Sequence, residues 1–115
     1  MTIYKLLGVD EWRAAEAAGE FRGSALDLAD GYVHFSTAEQ VVETATRHFA
    51  GRRGLVMLTV DTERLGEDLR WEPSRGGALF PHLYASLPRH AVVAVAELPD
   101  DTPVDQAIAQ ALPVE

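Results

Sequence analysis

Apolar and polar positions along the chain follow two periods. TIYKLL, residues 2–7, begins with β-branched and aromatic residues and predicts a first strand. VDEWRAAEAAG predicts a helix with Asp10 as N-cap, Gly19 as its stop, and Trp12, Ala15 and Ala18 as a narrow apolar stripe. EFRGSALDLADG reads as a connecting loop with room for one short helical turn. Tyr32–Ser36 predicts a second strand. A second helix follows over about 37–50. Ser36 with Glu39 and Thr37 with Gln40 both have capping-box spacing, and Ala38, Val41, Val42, Ala45 and Phe49 share one face.

LVMLTVD and AVVAVAEL are continuous apolar runs, as in strands covered on both sides. Between them, Leu69–Glu72 and Leu79–Tyr84 predict two short strands separated by a Pro-Ser-Arg-Gly-Gly turn. Pro81 lacks a ladder donor and places its strand at an edge or a bulge. VDQAIAQAL, in the acidic segment after Pro99, predicts a final helical turn or two. The order β-α-β-α followed by mostly β indicates an α+β fold with a mixed sheet.

The length of 115 residues suits one domain over 1–115, with a core at about 3–98 and an acidic tail at 99–115. Hydrophobic residues make up 47 % of the chain, enough for a core without staples. There is no cysteine, which removes disulfides, thiol chemistry and zinc–thiolate sites. The N-terminus has no basic segment leading into a long apolar run, and no run approaches the ~20 residues of a membrane span. A cytoplasmic protein is expected. The net charge of −8 argues against broad binding to phosphate backbones.

Candidate chemistry comes from the strand faces. Side chains alternate along a strand, so Tyr32, His34 and Ser36 share a face opposite Val33 and Phe35. Phe80, His82 and Tyr84 share another, and Arg70 lies with Glu72 opposite Leu69 and Trp71. These faces mix aromatic, hydroxyl and titratable groups, as pocket walls do, where an ordinary solvated face would carry Lys, Glu and Thr. Each residue also has a structural reading. His34 is a satisfied core histidine, Ser36 and Thr37 are helix caps, Arg70–Glu72 is a surface pair, and His48 and His90 are structural or exposed.

A metal set of His34, His82 and Glu72 has no close ligand pair to support it. A serine nucleophile at Ser36 has no G-x-S-x-G elbow. No P-loop and no dinucleotide G-x-G-x-x-G fingerprint are present. A site for a nucleotide-like molecule fits better. The aromatics stack a flat ring, His34 and Ser36 bond ribose hydroxyls, Arg70 or Arg75 pairs with phosphate, and Glu72 orients a hydroxyl or stabilises a developing cation.

IYKL, GYVHFSTAEQV, LRWE and GGALFPHLYASLP together resemble the bacterial domain of unknown function numbered 952, over about 3–98. The resemblance implies an ADP-ribosyltransferase-like fold: α+β, a small bent mixed or antiparallel sheet with two main helices, gripping NAD in its cleft. It implies His34, Glu72 and His82 as catalytic residues, and Tyr4, Lys5, Tyr32, Ser36, Arg70 and Tyr84 as contacts to the cofactor NAD. Activity would be ADP-ribosyl transfer or NAD cleavage. The family pattern carries histidine after Tyr4 where this chain has Lys5, a donor-only point charge. The alternative is a non-enzymatic module for a small metabolite or a protein partner.

Overall fold

In a computed structural model of the chain, residues 1–113 are described, Arg75 by its backbone alone. The strands are β1 (Thr2–Gly8), β2 (Glu20–Phe21), β3 (Val33–His34), β4 (Leu55–Asp61), β5 (Leu69–Pro73), β6 (Leu79–Leu83), β7 (Leu87–Pro88) and β8 (Val92–Glu97). The helices are α1 (Val9–Ala18), α2 (Ala25–Asp30), α3 (Val41–His48) and α4 (Val104–Ala111). The fold is α+β as expected, and of the mixed or antiparallel alternatives the pairing is antiparallel; the one sheet expected is three among the described residues, and the two short helical turns expected beside the two main helices are α2 and α4.

The first sheet has the order β1-β4-β8. β4 is its centre, and both faces are covered, which explains its unbroken apolar run. Val56, Leu58 and Val60 join Ile3, Leu7, Trp12 and Phe21 in one core cluster. Leu55 and Met57 join Tyr4 and Leu6 against α3 and α4 in the other. Lys5 lies on the same face of β1 as Ile3 and Leu7, by strand alternation. The second sheet has the order β3-β6-β5, and β2 pairs with β7 alone. One bridge joins the two larger sheets, through Tyr4 N–H to Ser36 O (2.8 Å) and Ser36 N–H to Tyr4 O (2.9 Å).

β6 is the central strand of its sheet, not an edge or a bulge as Pro81 suggested. The missing donor acts differently. Phe35 donates to Pro81 O at 3.1 Å, but proline cannot return the bond, so the β3 ladder stops at His34 and the chain crosses to Tyr4. The apolar run of β8 is likewise not doubly covered. It is an edge strand, with Val93 47 % and Val95 40 % exposed.

Helix starts also differ from expectation. Gly8, not Asp10, precedes α1, and Glu11 accepts from its N–H at 3.1 Å. Gly19 does stop this helix, at φ 84°. Helix α3 begins at Val41, four residues after Thr37, because 38–40 form a turn. Gln40 still closes that turn by accepting from Thr37 N–H at 3.0 Å. Ser36 caps nothing, and its hydroxyl bonds Thr44 Oγ1 at 2.9 Å. Ala18 and Ala38 are exposed. The core extends beyond Leu98, since Ala107 and Ile108 of α4 are buried against α3. The last two residues of the expected tail lie outside the described residues.

Candidate functional site

The site is assembled around a helix that caps itself. In α2 the Ser24 hydroxyl accepts from Asp27 N–H (3.3 Å), and Asp27 Oδ2 accepts from Ser24 N–H (2.9 Å). Gly31, at φ 87°, ends the helix and turns the chain into β3. The carboxylate that completes the cap therefore faces the strands. Asp27 accepts from Lys5 Nζ at 2.8 and 3.1 Å, from His34 N–H at 3.1 Å, and sits 2.6 Å from His34 Nδ1. His34 Nε2 lies 2.9 Å from Asp30 Oδ2. Both ring contacts are made in full only with a proton on each nitrogen. His34 thus fits the structural reading of its ring, satisfied by carboxylates instead of backbone.

Asp27 and Lys5 are both buried. Burial raises the Asp27 pKa, but hydrogen bonds from His34, the nearby Lys5 charge and the Ser24 amide outweigh it and hold the carboxyl well below its ordinary range. Burial pushes the Lys5 ammonium pKa below its usual value despite the attraction of Asp27 and Glu11.

Strand register adds a second group. His34 stands opposite His82, and His82 opposite Arg70, in one cross-strand row. His82 is buried, and its Nδ1 lies 2.9 Å from Glu72 Oε1, which also accepts from Tyr84 OH at 2.7 Å. The bonds from Tyr84 and His82 lower the Glu72 pKa, and the bond to Glu72 raises that of Tyr84. Tyr32 stacks on the His82 ring at 4.1 Å, and Arg70 lies over Tyr84 at 5.1 Å. His82 Nε2 has no hydrogen-bond partner among the described residues.

A cavity of about 470 Å³ lies between the sheets, within the range of small-molecule sites. Tyr4, Lys5, Asp27, His34, Ser36 and His82 line it. Phe80 and, from α3 onward, His48, Phe49 and Arg52 add aromatic and cationic surface. Tyr32, Arg70, Glu72 and Tyr84 do not line the cavity and reach it through His82. The Arg75 side chain lies outside the described residues. Among the described residues no group of three or more His, Asp or Glu is arranged to hold a metal ion, so the His34–His82–Glu72 set is not assembled. Nor is any helix among them long and apolar enough to cross a membrane.

Asp27 and Asp30 are the residues that sequence reasoning left in a loop. The Ser24–Asp27 spacing of S-x-x-D is a capping-box signal that marks α2, though not its partners.

With Nδ1 facing an ionised carboxylate, His82 is expected in the Nδ1–H tautomer, leaving Nε2 as an acceptor. Ring ¹⁵N shifts read this directly. Glu72→Gln is expected to weaken that preference with little change in melting temperature, because Glu72 is a partly exposed partner. An Nε2–H tautomer in the unaltered protein would rule out the Glu72–His82 pairing.

No curated protein matches the chain. Protein CC0527 from Caulobacter crescentus does match. Its crystal structure has 50 % identity and a TM-score of 0.86, covering 95 % of this chain and 99 % of that one. Its solution NMR structure has 49 % identity and a TM-score of 0.83, covering 99 % and 98 %. The family described as protein of unknown function (DUF952) matches residues 6–95. By that match this chain belongs to the DUF952 family.

Proposed function

We propose that the chain is a nucleotide-binding domain with an ADP-ribosyltransferase-like cleft, and that its ligand is NAD or a related nucleotide. The observation that carries this is the position of the cavity. Two antiparallel sheets, joined among the described residues by the Tyr4–Ser36 bridge, both supply wall residues there. β1 gives Tyr4 and Lys5, and the second sheet gives His34, Phe80 and His82. Imidazole, hydroxyl and aromatic groups suit ribose and base, and Arg52 suits a phosphate.

In the enzymatic form of this proposal, the nicotinamide glycosidic bond breaks or is transferred, and His82, oriented by Glu72, is the group at the reacting centre. Glu72 acts through His82 because it is not on the wall. A second proposal, binding without bond chemistry, draws support from His34: both its nitrogens are already taken by carboxylates, so it has no free donor for ribose.

Thermal shift and calorimetry with NAD, NADP, ADP-ribose and AMP test binding. A ligand that binds only the folded state raises the melting temperature, by ~2.7 kcal/mol of added stability at 100 times Kd. The rise is expected with NAD or ADP-ribose and is expected to vanish in His82→Ala. Release of nicotinamide then separates the enzymatic form from the binding form. Absence of heat and shift with every nucleotide at millimolar concentration overturns the proposal.

A further inference from the structure

Lys5 is the only lysine in the chain, the other nine basic residues being arginine. It is also the least expected place for a cation. β1 is otherwise an apolar strand, and Lys5 shares its face with Ile3 and Leu7, which are 0 % and 1 % exposed. Lys5 itself is 6 % exposed, and both it and its carboxylate partner Asp27 border the cavity. An ion pair in such a position contributes little to stability compared with apolar residues of similar size, so its presence calls for another role. Lysine differs from arginine in one chemical respect that matters here: its amine can lose a proton and become a nucleophile, and burial favours that loss. The pKa of Lys5 is shifted in the required direction.

We propose that Lys5 is a covalent attachment site, whose Nζ condenses with the carbonyl carbon of a small oxo acid admitted to the cavity while ionised Asp27 faces the nitrogen and balances the charge of the product. The oxo-acid class follows from the wall: Arg52 lines the same cavity and offers a cation to the acid group. The ammonium gives one proton to solvent, because Asp27 is held ionised. The free amine attacks the carbonyl carbon, forming the C–N bond, and the carbonyl electron pair moves to oxygen. A proton passes from nitrogen to that oxygen, giving a neutral carbinolamine. A proton from solvent reaches the hydroxyl, the C–O bond breaks, and water leaves. The product is a protonated imine beside ionised Asp27, so ammonium plus carbonyl has become iminium plus water with no net change in charge. His34 and Ser24 are positioning residues, since their bonds fix the Asp27 carboxylate against Nζ. The proposal goes beyond the nucleotide proposal and does not depend on it, because neither NAD nor its fragments take part.

The test uses glyoxylate with cyanoborohydride, which reduces the imine to a stable secondary amine, followed by peptide mapping by mass spectrometry. The N-terminal amine is the internal standard. In the folded protein Lys5 is expected to be labelled several-fold faster than the N-terminal amine, and that preference is expected to disappear in urea. Asp27→Asn is expected to slow Lys5 labelling roughly 100-fold, the low end for removing a group that stabilises developing charge, without changing the N-terminal rate. Arg52→Ala, on an exposed side chain, is expected to slow labelling by glyoxylate but not by propionaldehyde. If the folded protein is labelled at its N-terminus while Lys5 is protected until urea is added, Lys5 is a structural ion pair and the proposal fails. Equal slowing of both aldehydes by Arg52→Ala overturns the oxo-acid class.

Discussion

Asp27→Ala is expected to destabilise the protein by about 3–5 kcal/mol, the cost of leaving a buried charge without its partner. The change strands Lys5 Nζ in a site that is 6 % exposed. It also removes the acceptor for the His34 backbone and ring and for the Ser24 amide. Urea unfolding measures the loss. A paired change, Asp27→Leu with Lys5→Met, separates the ion pair from the rest, because it removes both charges together and should recover a large part of the loss. If Asp27→Ala alone costs less than about 1 kcal/mol, the net value of an ordinary hydrogen bond, Asp27 is not the organising acceptor described above.

The same residue sets an acid limit. Its pKa is depressed in the folded state, so ionised Asp27 favours folding. That contribution is complete above the ordinary value of 3.8 and is lost as the pH falls below it toward the lower folded value. Stability of Asp27→Asn should therefore fall less steeply than that of the unaltered protein over this acid range.

Gly23→Ala is expected to be the second severe change. Gly23 has φ 131°, a conformation that L side chains rarely adopt, and an added Cβ would sit 2.8 Å from Asp27 Cβ. The backbone conformation alone is worth roughly 1–3 kcal/mol. The contact adds to this because it meets the root of the Asp27 side chain, not a flexible tip. Gly51→Ala is the control, with φ 77° and open space where its Cβ would be. A larger drop in denaturation midpoint at 23 than at 51, with unchanged slope, measures the contact. Equal drops at the two positions would remove it from consideration.

Which parts of this arrangement were legible in the sequence follows from the range of each interaction. Alternation is local, so the shared faces Tyr32–His34–Ser36 and Phe80–His82–Tyr84 could be read without a partner strand, but not that Tyr32 and Tyr84 stand off the cavity wall. The doubly covered β4 was legible for the same reason. β8 has an equally apolar sequence, yet it lies at an edge, because nothing within a strand says how many neighbours it has. Pro81 announces a missing donor but not which ladder loses it, and here the short ladder to β3 ends while the one to β5 continues. Asp27 escaped notice because its partner Lys5 is 22 residues away, and a single acid in a Gly-bounded loop has no periodicity to mark it. The family resemblance located Lys5 as a departure from histidine, but only the structure pairs it with Asp27.

The register of the first sheet has a consequence in time. β1 pairs along its whole length with β4, from Thr2 against Asp61 to Gly8 against Leu55, so it is completed by a strand that follows much later in the chain. At about 5–20 residues per second of synthesis, β1 waits on the order of several seconds for its partner. Throughout that interval Lys5 is an ordinary hydrated amine, and Ile3 and Leu7 lie open to any apolar surface nearby. The buried amine needs partners distant in sequence, Asp27 for its charge and β4 for its strand, so a nascent or unfolded chain presents Lys5 as an ordinary solvated lysine.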